Sequence, residues 1–106
     1  MKLEDKERSG DEQGELLLAL IGEVLTKYRK LSKLSQTELA ELASINRPYI
    51  SDIERGMRNV SLLTLDSICF ALDRTPADIL QEVYVLYKIR GQRRRQTNLD
   101  RRKKLS

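Results

Sequence analysis

The stretch SQTELAELASINRPYISDIERG, residues 35–56, decides the fold. Ser35 and Glu38 form a Ser-x-x-Glu capping box. The serine hydroxyl can accept from the Glu38 amide while the Glu38 carboxylate reaches back to the Ser35 amide. Leu39, Ala40, Leu42 and Ala43 then supply a short apolar face, about two helical turns long. That helix stops before Ser44-Ile45-Asn46. Asn46 is a good N-cap for the next one, and Pro48 is tolerated in its first turn because the missing N–H would be unpaired there. Ile50 and Ile53 face inward, and Gly56 supplies a C-terminal stop. The connection is short enough to force a bend, with Ala40 as the small residue where two steeply crossing helices approach. Arg47, Pro48, Ser51 and Asp52 point away from the isoleucines and leave a polar outer face.

Helical spacing continues on both sides. Leu17, Ile21, Val24, Leu25 and Tyr28 predict a helix that starts between Asp11 and Glu15 and ends near Lys33. After the polar connection Met57-Arg58-Asn59-Val60, Ser61 can cap a fourth helix with Leu62, Leu65, Ile68, Cys69 and Leu72 inward. Thr75-Pro76-Ala77-Asp78 opens a fifth. No segment alternates convincingly like a strand. The expectation is an all-α protein, a compact bundle of about five short helices. Residues 1–14 read as a flexible polar segment, 15–82 as the domain, and 83–106 as an apolar helix extension with a basic tail.

Composition excludes much chemistry. The 106 residues contain no histidine and one cysteine. That removes His-based acid–base catalysis, Ser-His and Cys-His dyads, His-containing metal sites and an internal disulfide framework. The acids of 15–82 are dispersed, and no Gly-rich phosphate loop exists. We therefore expect no enzyme, no catalytic residue, no metal and no cofactor. The longest apolar run, Leu16 to Ile21, is far below the ~18 residues of a membrane span. The mixed-charge start is unlike a signal peptide, and Cys69 suits a reducing interior, so a cytoplasmic protein without a membrane partner is expected.

The formal charge of +4 is unevenly placed. Residues 15–82 carry eight bases against ten acids, whereas 83–106 carry nine against one. A polyanion-binding argument from net charge thus applies to the tail, and the domain must rely on a local patch.

The ordered set Leu34-Ser35-Gln36-x-x-Leu39-Ala40, Ile50-Ser51-x-Ile53-Glu54-Arg55-Gly56, Ser61-Leu62-x-x-Leu65 and Ala71-Leu72 resembles the phage-repressor-like helix-turn-helix regulators, the Xre family. The resemblance covers roughly residues 19–80 and implies the lambda-repressor-like DNA-binding fold. Tyr49 to Asn59 is similar to the controller proteins of restriction–modification systems. One departure is Ser44, where the family usually has glycine in a left-handed turn; serine can adopt it at a cost of about 1 kcal/mol.

By resemblance, the recognition helix is about 46–55, and Asn46, Arg47, Pro48, Ser51 and Asp52 lie in the major groove. Arg47 is the first choice for base readout, because guanidinium can bind guanine O6 and N7 bidentately. Pro48 can pack on a thymine methyl, and Asp52 either accepts from cytosine N4 or orients a nearby arginine. Gln36, Tyr49, Arg58 and Asn59 are the phosphate contacts, although Tyr49 could instead pack over Ile53. Glu54 is expected to pair with Arg29 on the first helix.

A single such unit covers few base pairs, so a homodimer on a pseudo-palindromic operator is expected. Leu63, Phe70, Val83, Leu86 and Tyr87 are left over for its interface; the rival is that the fifth helix folds back on Leu16, Leu18 and Leu20. The basic tail either tracks phosphates or is simply solvated. The implied function is sequence-specific regulation of transcription on double-stranded DNA. The alternative is a protein-interaction module, such as the antitoxin of a toxin–antitoxin pair, with autoregulatory DNA binding.

Overall fold

A computed structural model describes residues 12–105, which form six helices and no strand. These are α1 (Glu12–Leu31), α2 (Gln36–Ala43), α3 (Arg47–Glu54), α4 (Leu62–Ala71), α5 (Pro76–Arg90) and α6 (Gln92–Leu105). The first helix starts at Glu12, within the expected Asp11–Glu15 window, so residues 12–14 of the polar segment belong to its first turn; residues 1–11 and 106 lie outside the described residues. Glu12 and Glu15 at its start, with Arg29 and Lys30 at its end, complement the helix dipole. It ends two residues before Lys33, which adopts φ 60° while the Leu34 amide donates to the Arg29 carbonyl at 3.1 Å.

Leu20, Val24 and Leu25 on α1 form the centre of one core with Leu39, Ile50, Ile53, Ile68, Cys69, Ile79 and Val83. Each fully buried aliphatic side chain contributes about 1.5–3 kcal/mol relative to exposure. The long α5 packs along α1, so it does fold back on the first helix. Its partly buried Leu80, Leu86 and Tyr87 border the core, as do Leu16 and Leu17. Val83 is 0% exposed and therefore cannot belong to a surface that meets a second copy; its place in the apolar run is explained by burial against α1. The short α3 rests on both α1 and α2, while α4 covers α2 and α5.

Six helices stand where about five were expected, because the basic tail is itself helical. Its Arg, Lys and Gln residues are good helix formers, and the bases of its last turn suit the negative end of the dipole. Gly91 caps α5 with φ −99°, its amide donating to the Tyr87 carbonyl at 2.6 Å, and α6 begins at the next residue.

Candidate nucleic-acid interface

The caps place the two central helices. Ser35 accepts from the Glu38 amide at 3.0 Å, and Glu38 accepts from the Ser35 amide at 2.8 Å, so the capping box is complete. Ser44 takes the left-handed conformation, φ 57° and ψ 43°, and the Ile45 amide closes onto the Ala40 carbonyl at 2.9 Å. Asn46 Oδ1 accepts from the Tyr49 amide at 2.8 Å. That bond ties its carbonyl to α3 and leaves both protons of its amide for a partner outside the protein.

Gly22 fixes how closely α3 approaches α1. A Cβ there would lie 2.5 Å from the carbonyl oxygens of both Ile53 and Glu54. No atom pair of that kind is tolerated, so any larger residue must push α3 outward. Sequence periodicity gave no sign of this, since a glycine within a helical pattern reads only as a weak spot.

Behind α3 lies a nearly buried ion pair. Arg29 donates from Nε to Glu54 Oε2 at 2.6 Å and from Nη2 to Oε1 at 3.1 Å, with side chains 11% and 6% exposed. Arg29 Nη1 also donates to the Leu34 carbonyl at 2.8 Å. The chain of contacts continues outward. Gln36 Nε2 donates to Glu54 Oε1 at 2.9 Å, and Arg47 Nη1 donates to Gln36 Oε1 at 3.2 Å. The exposed Arg47 is thus oriented, through Gln36 and Glu54, by a pair anchored on α1. The same geometry commits one amide proton of Gln36 inside the protein and leaves the other available.

A second group sits one turn along. Asp52 accepts from Arg55 Nη2 at 2.7 Å and from Arg58 Nε at 3.4 Å. The Arg58 guanidinium lies 4.8 Å from the centre of the Tyr49 ring, a cation–π contact. Asn46, Pro48, Tyr49, Asp52 and Arg58 line one open depression on this face. Asn59 is exposed beside it, and Ser51 is half-buried on α3. Arg55 stands in the family motif without a role of its own; its i, i+3 spacing from Asp52 makes it a nearby arginine that the carboxylate holds.

Elsewhere, Leu63 and Phe70 on α4 are 82% and 84% exposed, whereas Leu86 and Tyr87 are only partly so. Cys69 is fully buried, and loss of hydration, aided by Asp66 and Asp78, pushes its thiol up to about 11. It is an inert core group. Among the described residues no three acids or cysteines are placed to hold a metal ion, and no helix is long and apolar enough to cross a membrane.

A helix-turn-helix family model matches residues 25–79. The control protein C.BamHI of Bacillus amyloliquefaciens is 45% identical over 62 residues, covering 58% of this chain and 76% of that protein. The crystal structure of the clp gene regulator ClgR from Corynebacterium glutamicum is similar with a TM-score of 0.67 and 29% identity, covering 78% of this chain and 88% of that one. The restriction–modification controller protein C.Esp1396I, in the structure of its tetramer with its natural 35 base-pair operator, is similar with a TM-score of 0.62 and 28% identity, over 67% of this chain and 93% of that one. The match over more than half of the sequence, on the helices that carry the geometry above, means that the chain belongs to the helix-turn-helix family of the phage-repressor-like, Xre type.

Proposed function

We propose that the protein regulates transcription by binding a specific double-stranded DNA operator as a homodimer, with α3 in the major groove. The observation that carries this reading is the relay from the buried Arg29–Glu54 pair through Gln36 to Arg47. It holds an arginine at the start of an exposed helix face, in a member of a family one of whose structures contains operator DNA. Arg47 reads a base edge with Asn46, Pro48, Ser51 and Asp52 beside it. Gln36, Tyr49, Arg58 and Asn59 meet phosphates and set the register. Leu63 and Phe70 pair with a second copy, flanked by Leu86 and Tyr87. This role calls for no enzymatic step and places the protein with the DNA, in the cytoplasm of a bacterial host.

The test is a shift assay on the DNA upstream of the protein's own gene, with the mass of the complex measured in solution. A two-fold repeat bound by two copies is the expected result. A chain that purifies only in fixed ratio with a different protein, and binds no such repeat alone, would instead favour the antitoxin-like module.

A further inference from the structure

Asp52 is an acid on the face that the proposed function turns towards a polyanion, and it holds two arginines that could otherwise serve that function. A guanidinium already neutralised by a carboxylate gains little from a phosphate. While Arg58 keeps the carboxylate through Nε, the pair carries no net charge, and a phosphate contact releases less of a condensed counterion than a freed guanidinium would. The two bonds differ: Arg55 is held at 2.7 Å, whereas Arg58 is held through Nε at 3.4 Å, and its guanidinium rests on the Tyr49 ring. Arg58 is therefore the exchangeable partner, and Arg55 the one that keeps Asp52 in place.

We infer that Asp52 is a specificity-determining residue that works by exchange. On the correct site it passes Arg58 to a phosphate and accepts instead from the exocyclic amine of a cytosine or adenine in the major groove. On other sites it keeps Arg58. The inference rests on the reading of α3 as the groove-facing helix. Its chemistry is selective because only cytosine N4 and adenine N6 donate on the major-groove edge, while guanine and thymine present acceptors there. A carboxylate facing an acceptor, after losing Arg58, is left short of a donor beside a polyanion, and that arrangement is penalised. Asp52 thus discriminates chiefly by raising the cost of wrong sites.

Two duplexes test this: one selected by the wild-type protein from a random library, with its single-base-pair variants, and a scrambled duplex of the same composition. Asp52→Ala should bind the scrambled duplex about three- to tenfold more tightly, with a salt dependence steeper by about 0.9 in log–log slope for the one additional phosphate contact. At one base pair of the selected duplex its preference should fall from about tenfold to near unity. Glu15→Ala, which removes the same charge from the first turn of α1, should do neither. Adding Arg58→Gln to Asp52→Ala should abolish the gain. If Asp52→Ala binds the scrambled duplex no more tightly than Glu15→Ala, or keeps its preference at every base pair, the exchange is overturned while the function stands. A wild-type protein that selects no sequence overturns both.

Discussion

At the scale of single residues, the protein spends its most buried charges on orientation. Arg29 and Glu54 are withdrawn from water, so their mutual attraction is largely offset by lost hydration. What the pair secures is a fixed acceptor for Gln36 and, through it, a fixed Arg47. Removing one charge is a different matter, because the other stays buried without its partner. Glu54→Gln should cost about 3 kcal/mol in a denaturant titration. Gln36→Ala should leave that titration nearly unchanged, yet weaken binding to a selected duplex more than to a scrambled one. Equal weakening of both would reduce Gln36 to an ordinary phosphate contact. The Arg29–Glu54 partnership was anticipated only by family resemblance, since residues 25 positions apart carry no spacing signal. The outward extension of the relay was not anticipated, because side-chain contacts across a turn depend on the bend between α2 and α3.

Among the helices, local rules were legible where they act within a few residues. The Ser35–Glu38 box, the Asn46 cap and the Thr75–Asp78 start all follow from short-range hydrogen bonding, and all are formed. Ser44 occupies the left-handed turn at a steric cost, so Ser44→Gly should raise stability by up to about 1 kcal/mol in thermal unfolding. Contacts between distant helices were less legible. The apolar run of α5 does not separate residues that face α1 from those that face outward, so Val83 reads in the sequence like an interface residue although it is buried in the monomer. Polar groups joining α1 to α5 were missed as well. Glu82 accepts from Lys27 and, at 2.7 Å, from the Tyr28 hydroxyl, and these two bonds hold its carboxyl below the ordinary 4.5. A depressed carboxyl stabilises the fold fully above its ordinary value and loses that contribution as pH falls through the folded value. The melting temperature of wild type should therefore exceed that of Glu82→Gln at pH 7, and the gap should close as pH is lowered below about 4.5. A gap that persists at acid pH would mean that the bonds act without the charge.

For the whole molecule, charge and recognition are separated along the chain. Residues 15–82 hold the proposed reading face and more acids than bases, while 83–106 carry nine bases and one acid. Much of that surplus lies on α6, beyond the family match, and Arg101, Lys103 and Lys104 are exposed there. Deleting residues 92–106 should weaken binding to every duplex alike and flatten its salt dependence, while leaving the preferred sequence unchanged. Loss of preference without loss of dimerisation would make the tail part of readout. The central claim concerns α3, and one titration addresses it most directly: wild type and Arg47→Ala against the duplex that wild type selects from a random library, and against its single-base-pair variants. The account predicts a selected sequence with two-fold symmetry, a loss of about 1–3 kcal/mol for Arg47→Ala on it, and relaxed preference at one base pair in each half-site. An Arg47→Ala protein that discriminates among these duplexes as wild type does would contradict it.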